Sequence, residues 1–327
     1  MHIVIVYPGV IPVVKYGGTG RDIWYEGKEL TRIGHKVTYL TGAGSSCPFG
    51  DVLHIQPGRS WDEQIPESAD LVHFHFTPRQ PVRKPYLVTI HGNGKPGETF
   101  DQNTVFVSAN HAARHGSSVF VYNGMDWDDY GPVKLDNRRQ YFHFLGNAAW
   151  RVKNLKGAIR VTAVAGENLH VLGGSRISFR MGFNISFARH VSYYGFVGGE
   201  KKFRALQGSK GLVFPVLWYE PMGLAIIESL YFGSPVFGTP YGSLPELVPA
   251  EVGYLTNSAS SMAEAIANAG SFSPRACHEY AREHFNARKM TGEYLLLFEK
   301  VLNGDCLNSS PPKSSDNSIT GLLPWLE

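Results

Sequence analysis

Residues 2–41, HIVIVYPGVIPVVKYGGTGRDIWYEGKELTRIGHKVTYLT, contain two strand-like runs on either side of a helical pattern. The runs HIVIVYP and KVTYLT are rich in β-branched and aromatic residues and lead into turn-forming residues. Between them, Ile23, Gly27, Leu30 and Gly34 recur at helical spacing before a Gly-His stop. This strand–helix–strand order predicts a parallel sheet that is covered by helices on both faces.

The same pattern continues and then begins again. Further strand-like runs are DLVHFHF, YLVTIHG, TVFVS and SVFVYNG. After the polar stretch at 126–140, new strand-like and helical runs follow: YFHFLG, a helix from about Lys153, NLHVLGG, VSYYGFV, the helix EKKFRALQ, and GLVFP. We therefore predict an α/β fold of two Rossmann-like, doubly wound parallel-sheet domains. Because ligands of such sheets bind at the carboxyl ends of the strands, we expect the binding site in an interdomain cleft.

The boundary between the domains is predicted near residues 127–139. We assign residues 1–130 to the N-terminal domain and residues 136–305, with the closing C-terminal helices, to the C-terminal domain. Residues 306–327 form a tail. Its stretch NSSPPKSSDNS is typical of a disordered linker, and ITGLLPWLE is too short for a prediction.

Composition indicates a soluble globular protein. Of the 327 residues, 43% are hydrophobic and 18% are charged. The net charge of +3 is too small to indicate a nucleic-acid partner, although a pI of about 8.6 allows anionic substrates or a weak peripheral membrane association. The three cysteines form no zinc or disulfide pattern, so a cytoplasmic location is the default expectation. The apolar start lacks a basic region and is interrupted by proline and glycine, which favours a buried first strand over a signal peptide.

The stretch WYEPMGLAIIESLYFGSPV at 218–236 is very apolar, yet it carries Glu220 and Glu228. We expect GLVFP to be a buried strand, Pro221 to lie where a helix starts, and Gly233 to end that helix. Free amides at the helix N-terminus would then form an anion site suited to a diphosphate. A carboxylate at each end of that site could accept hydrogen bonds from sugar and ribose hydroxyls. The alternative, favoured for an isolated glutamate, is a solvent-facing Glu228 and a Glu220 that only caps the helix.

The longer stretch EPMGLAIIESLYFGSPVFGTPYGSLPELV resembles the E-x7-E signature of retaining glycosyltransferase family 4, the glycosyl transferases group 1 of the GT-B fold. Shorter pieces agree in order: GGTGRD, TIHG, FVSAN, VYNGMD, FLG and KNLKGAI. The resemblance covers residues 1 to about 304. It implies retaining transfer of a sugar from a UDP- or GDP-sugar to a hydroxyl of a glycan or lipid-linked acceptor. It also implies a role in polysaccharide, lipopolysaccharide or glycoconjugate biosynthesis, with the acceptor on the N-terminal domain and the donor on the C-terminal domain.

The resemblance also assigns roles within the signature. Glu220 would contact the donor sugar as a catalytic residue, and Glu228 would bind the ribose. The segment Met222, Gly223 and Leu224 would offer backbone amides to the donor.

A basic group is expected to neutralise the diphosphate leaving group. The family commonly has an arginine after the glycine of FLG, but this chain has Asn147 there. Lys153 fits the family's catalytic lysine best, Lys156 is an alternative, and Arg151 could supply the missing charge. An ordinary surface lysine is the competing interpretation of Lys156.

Two further matches lie in the N-terminal domain. Gly17 and Gly18 match a glycine pair whose backbone faces the donor phosphate and the acceptor, with a flexible turn as the alternative. His91, in TIHG, matches a catalytic histidine that approaches the transferred sugar, with a hydrogen-bonded core histidine as the alternative.

No metal and no other cofactor is expected, since Lys153 and the helix N-terminus would neutralise the diphosphate. His73 and His75 share one face of a strand, but the sequence places no carboxylate or third histidine beside them, so packing is the favoured interpretation. The triplet DWD at 126–128 mimics the metal-binding motif of the GT-A fold and is short enough to occur by chance.

Three other functions remain open from the sequence. A GT-B sugar-nucleotide epimerase would share the anion site at the helix N-terminus. A nicotinamide-dependent oxidoreductase would also have Rossmann-like halves, but GGTG does not have the G-x-G-x-x-G spacing. A non-catalytic nucleotide-sugar binding protein would differ only in lacking turnover.

Overall fold

The computed structural model describes residues 1–13, 17–178, 184–314 and 321–327. These residues form two compact units. The first unit contains the described residues of Met1–Val13, Gly17–Asp126 and Phe285–Asn317. The second contains the described residues of Trp127–His284 and Ser318–Glu327.

The first unit is built on a six-stranded parallel sheet. Its strands are β1 (His2–Tyr7), β2 (Lys36–Thr41), β3 (Asp51–His54), β4 (Leu71–Phe74), β5 (Tyr86–Ile90) and β6 (Thr104–Phe106). They lie in the order β3-β2-β1-β4-β5-β6, and all neighbours pair in parallel. β1 and β2 correspond to the two strand runs in residues 2–41, and their pairing confirms the predicted strand–helix–strand unit.

The second unit is built on a six-stranded parallel sheet of the same topology. Its strands are β7 (Tyr141–Leu145), β8 (Leu169–Leu172), β11 (Val191–Tyr193), β12 (Ser209–Phe214), β13 (Val236–Gly238) and β14 (Gly253–Leu255), with an antiparallel pair formed by β9 (Ile177–Ser178) and β10 (Asn184–Ile185). The order is β11-β8-β7-β12-β13-β14. The strand order therefore reverses between β7 and β12, as it does between β1 and β4 in the first sheet. In sheets of this kind, ligands bind outside the carboxyl ends of the strands at such reversal points.

Helices connect most of the strands in both units. The helices in the described residues are α1 (Gly18–Arg32), α2 (Trp61–Gln64), α3 (Ala109–Ala113), α4 (Leu155–Val164), α5 (Gly199–Gln207), α6 (Leu224–Tyr231), α7 (Leu244–Leu247), α8 (Ala259–Ala267), α9 (Pro274–His284) and α10 (Ala287–Leu302). Within these residues, no helix is both long enough and apolar enough to cross a membrane.

The packing of α10 changes the predicted domain boundary. The sequence placed the closing helices, through residue 305, in the C-terminal domain. In the structure, α10 buries Met290, Tyr294 and Phe298 in the same core as Ile3 and Leu30 of the first unit. The chain therefore enters the second unit after Asp126 and returns to the first at Phe285. An amphipathic helix shows which face it buries, but not which sheet receives that face.

The predicted and observed strands also differ at several places. The run SVFVYNG forms only an isolated bridge between Phe106 and Phe120. Conversely, the predicted runs do not include β3, β9, β10, β13 and β14. β3, at Asp51–His54, is a largely exposed edge strand without the apolar alternation of a half-buried strand.

Candidate functional site

Lys153 and Glu220 meet beyond the carboxyl ends of the two strands where the second sheet reverses its order. β7 leads to a short 3-10 helix at Arg151–Lys153, and β12 leads to the loop that carries Glu220. Lys153 Nζ donates a hydrogen bond to Glu220 Oε2 at 2.5 Å. Only 9% of the lysine side chain and 8% of the glutamate side chain are exposed. Two residues that lie 67 positions apart thus form one buried ion pair.

Aromatic rings surround this ion pair. Lys153 Nζ lies 5.0 Å from the ring centroid of Trp218, 5.1 Å from that of Phe214 and 5.4 Å from that of Trp150. Trp218 Nε1 also donates to Glu220 Oε2 at 2.7 Å. Ring faces attract a cation, and the indole donor satisfies the buried carboxylate, so both charges are held in an environment poor in water.

The loop of Glu220 is held by a turn farther along the chain. Ser243 donates its N–H to the carbonyl of Glu220 at 2.9 Å and its Oγ–H to the carbonyl of Met222 at 2.8 Å. Gly242 has a φ of +66°, and a Cβ there would lie 2.2 Å from the nitrogen of Glu220. Only glycine permits this close approach, so the Gly242–Ser243 turn sets the position of the Glu220 backbone. The turn lies within residues 220–248, the stretch that resembles the family signature, but its sequence does not reveal this contact.

α6 begins three residues after the position expected from Pro221. Its N-cap is Gly223, in the left-handed region with a φ of +81°, and its first residue is Leu224. Glycine leaves this N-terminus without a side-chain cap, so the first amides of α6 retain their capacity to donate to an anion. Gly233 follows the C-cap with a φ of +73°, which confirms the predicted helix end. Met222 is buried, and Gly223 and Leu224 are half-buried.

Glu228 lies inside the second unit, so the solvent-facing alternative is wrong. It is 2% exposed, and its Oε1 accepts hydrogen bonds from Lys202 Nζ at 2.5 Å and from the Tyr130 hydroxyl at 2.6 Å. The sequence pattern does not single out Lys202 or Tyr130. The helical spacing does indicate that Lys202 is buried, because Lys202 shares one face of α5 with Ala205 and Leu206, which are also buried.

The predicted basic residues of the second unit differ in their exposure to solvent. Lys156 and Arg151 are exposed, whereas Lys153 is the lysine that pairs with Glu220. Asn147, at the position of the family's arginine, is buried and accepts a hydrogen bond from the N–H of Ala149 at 3.1 Å.

In the first unit, the predicted glycines and His91 lie at the carboxyl ends of strands. Gly17, which is half-buried, is the N-cap of α1, and Gly18 is its first residue. His91 directly follows β5 and is half-buried. Its Nε2 lies 2.9 Å from Nδ1 of His75, and the two rings stack with centroids 5.2 Å apart.

The carboxylate that the sequence could not place beside His73 and His75 is Glu26 of α1. Glu26 Oε1 lies 2.6 Å from His73 Nδ1, and Glu26 Oε2 lies 3.5 Å from His75 Nε2. All three residues are buried, and their ligand atoms lie within 4.8 Å of one another. Two ligands of a tetrahedral zinc ion are separated by about 3.3 Å, given bonds of about 2.0 Å. The 2.6 Å contact is therefore a hydrogen bond with no room for an ion between its two atoms.

Comparison with solved structures identifies the fold as GT-B. The glycosyltransferase AviGT4 of avilamycin A biosynthesis superposes with a TM-score of 0.73 at 19% identity, over 93% of this chain and 98% of that one. Sucrose-phosphate synthase from Thermosynechococcus elongatus gives 0.71 at 17% identity, over 93% and 100%. Anabaena HepE in complex with UDP and glucose gives 0.63 at 14% identity, over 92% and 100%. At these identities the likeness concerns the fold.

The family match is more specific and covers a shorter segment. Residues 139–270 match the family model described as glycosyl transferases group 1. No curated protein sequence is a significant match. The predicted resemblance is therefore confirmed for a segment that contains Lys153, Glu220 and Glu228.

Proposed function

We propose that this protein is a retaining glycosyltransferase that moves a sugar from a nucleotide-diphosphate sugar to an acceptor hydroxyl. The observation that carries the proposal is the buried Lys153–Glu220 ion pair beside the N-terminus of α6. This arrangement combines a cation and a set of backbone donors, which a departing diphosphate needs, with a carboxylate, which a sugar hydroxyl needs.

The leaving nucleoside diphosphate is a stabilised anion, so its departure depends on charge neutralisation and positioning. Lys153 and the amides at Gly223 and Leu224 would stabilise the charge that develops as the bond between the sugar and the phosphate breaks. The acceptor oxygen would attack the same face of the sugar, and the departing phosphate would take the proton of the acceptor hydroxyl. This route retains the configuration at the sugar and needs no enzyme nucleophile.

The two glutamates would bind different parts of the donor. Glu220 is already oriented by Lys153 and Trp218, so a donor sugar would meet a carboxylate in a fixed position. Glu228 would bind the ribose from a position fixed by Lys202 and Tyr130. A carboxylate has about four acceptor sites, so donors from the protein and from a ribose can share one group.

The donor class is supported by proteins of the same fold. HepE has been solved with UDP and glucose, and starch synthase IV from Arabidopsis thaliana has been solved with ADP and acarbose. We propose a UDP- or GDP-sugar donor and a glycan or lipid-linked acceptor, in the biosynthesis of a polysaccharide, lipopolysaccharide or other glycoconjugate. The reaction would take place in the cytoplasm and require no metal ion.

A donor screen followed by product analysis tests the proposal. Thermal-shift assays with UDP, GDP, ADP and dTDP sugars should identify one base that raises the melting temperature. The best donor is then incubated with acceptors, and the anomeric configuration of the product is determined. A product with inverted configuration would exclude retention. Binding without any turnover across acceptor classes would favour the non-catalytic binding protein.

A further inference from the structure

Glu26, His75 and His91 form a chain of contacts within the first unit. Glu26 Oε2 faces His75 Nε2 at 3.5 Å, and His75 Nδ1 faces His91 Nε2 at 2.9 Å. Glu26 and His75 are buried, and the chain ends at the half-buried ring of His91. Among the described residues, His75 Nε2 and His91 Nδ1 are both buried without a hydrogen-bond partner, so the 3.5 Å contact between His75 and Glu26 is an electrostatic one.

The charge of Glu26 determines which ring nitrogen of His75 and of His91 carries the proton. Burial favours the protonated acid, but the electrostatic attraction and the hydrogen bond from His73, together with the nearby ring of His75, lower the pKa of Glu26 to about 2. The carboxylate is therefore ionised at neutral pH and only accepts hydrogen bonds. Burial and the nearby charge of His73 lower the pKa of His75 to about 4, so its ring is neutral and carries one proton.

A neutral His75 has two tautomers, and the carboxylate favours one of them. With the proton on Nε2, an N–H dipole points at Glu26, whereas with the proton on Nδ1, a lone pair faces the negative charge. The first tautomer leaves His75 Nδ1 as an acceptor at 2.9 Å from His91 Nε2. Because one of these two nitrogens must donate, His91 then carries its proton on Nε2.

We propose that Glu26 acts through His75 as a positioning residue, holding His91 in the tautomer that offers Nδ1 as a hydrogen-bond acceptor to a substrate hydroxyl. The inference rests on the proposed function in one respect, namely that His91 approaches the sugar or the acceptor. His91 Nδ1 lacks a hydrogen bond and is covered by protein atoms, so a hydroxyl of the bound substrate would have to displace these atoms and would then supply the missing donor. The opposite tautomer would present an N–H donor at the same point.

Glu26→Gln is the informative substitution because it keeps the shape of the side chain and removes its charge. The amide oxygen can still accept from His73 Nδ1, which leaves the amide NH₂ to face His75 Nε2. His75 would then accept at Nε2 and donate from Nδ1, and the proton of His91 would move to its Nδ1. The substitution should therefore move the proton of both His75 and His91 to the other ring nitrogen.

The matched control is Tyr294→Phe. The Tyr294 hydroxyl lies 3.0 Å from Thr89 Oγ1, which in turn lies 2.8 Å from His73 Nε2. This branch belongs to the same buried network but does not include the contact between His75 and His91. The control therefore reports any general effect of disturbing this part of the core.

The test measures tautomers and kinetics separately. In protein labelled with ¹⁵N-histidine, two-bond ¹H–¹⁵N spectra should show His91 of the wild type and of Tyr294→Phe protonated at Nε2, and His91 of Glu26→Gln protonated at Nδ1. With the best donor, Glu26→Gln should lower kcat by about 5–150-fold, the range for one misdirected buried hydrogen bond, with little change in donor KM.

The possible failures are distinguishable. Protonation of His91 at Nδ1 in the wild type would overturn the proposal even if Glu26→Gln did not fold. An unchanged tautomer in folded Glu26→Gln would overturn it as well. If the tautomer reverses as expected but kcat stays the same, the role of His91 at the substrate is wrong. If the wild type turns over no donor, the proposed function fails, while the tautomer measurement still stands.

Discussion

Lys153 and Glu220 form a buried ion pair at 2.5 Å, with Nζ of the lysine inside a cage of three aromatic rings. Removing one partner of such a pair typically costs about 3–5 kcal/mol, because the other charge stays buried without compensation. Each residue therefore holds the other in position. The proposed function and the stability of the fold therefore depend on the same pair, and separate measurements of kcat and of unfolding distinguish the two.

We expect Lys153→Met to lower kcat more than it raises donor KM, because the lysine charge matters most when the diphosphate departs. Loss of one preorganised charge contact corresponds to about 10²–10³ in kcat. Lys156→Met is the control, since Lys156 is exposed and should be nearly silent. The double variant Lys153→Met/Glu220→Gln should recover stability in urea unfolding without recovering kcat. Slow turnover in Lys156→Met with normal turnover in Lys153→Met would move the catalytic role to Lys156.

Glu228→Gln should weaken binding of the best nucleotide by about 1.5–3 kcal/mol, the worth of a hydrogen bond to a charged group, as measured by titration calorimetry. Lys202→Met is the matched variant, because it leaves Glu228 buried without its lysine and should mainly lower stability. The double variant should unfold at higher urea concentration than Lys202→Met alone. Unchanged nucleotide affinity in folded Glu228→Gln would refute the ribose assignment.

Gly242→Ala should lower kcat by about 10²-fold, the typical cost of misplacing a catalytic group by about 1 Å. The new Cβ would lie 2.2 Å from the nitrogen and 2.3 Å from the oxygen of Glu220, so the Glu220 loop has to shift. Gly270→Ala is the control, since a Cβ there meets nothing within 4 Å. Wild-type turnover in Gly242→Ala would show that the turn does not position Glu220.

Excess EDTA should leave turnover of the best donor largely unchanged, because protein groups are proposed to neutralise the diphosphate. In the triplet at 126–128, Asp126 forms an ion pair with Lys28 at 2.7 Å. Loss of activity in EDTA that manganese restores would contradict the metal-free proposal and direct attention back to this triplet.

The free energy of unfolding should fall as the pH is lowered from about 6.5 towards 4. Burial, with nearby positive charges, lowers the pKa of His143 and of His111 to about 3, and that of His75 to about 4. Since the folded pKa lies below the ordinary value of 6.5, the unfolded chain takes up these protons first, and stability is lost on acidification. From pH 7.5 to 5, each group should cost about 2 kcal/mol at 1.36 kcal/mol per pH unit.

Urea unfolding at pH 7.5 and at pH 5 measures this loss of stability. His143→Gln should reduce the loss by about 2 kcal/mol, the contribution of one histidine. His143 is fully buried between the hydroxyls of Ser209 and Ser229, so the variant removes one group that cannot take up a proton in the fold. Equal or greater stability at pH 5 would contradict the prediction.

The sequence by itself determined the α/β class and most strands of the two sheets. Strands that are buried on both faces appear in the sequence as short β-branched runs, and the helices between them show apolar residues at helical spacing. It also determined the candidate donor segment. Glu220 and Glu228 are set by a local pattern of strand, loop and helix, and Gly233 ends that helix as predicted. These features depend on residues that are near one another in the sequence, and a sequence pattern can therefore indicate them.

Tertiary structure decided which distant residues meet. Lys202 came to lie beside Glu228, and Glu26 of α1 beside His73, through packing of helices against sheets that no local pattern encodes. The tail is a further case, since its Leu323 N–H donates to the carbonyl of Leu217 at 2.8 Å, in the loop that leads to Glu220. A buried charge is stable only when its partner is present, and that partner is selected by position in three dimensions rather than by distance along the chain.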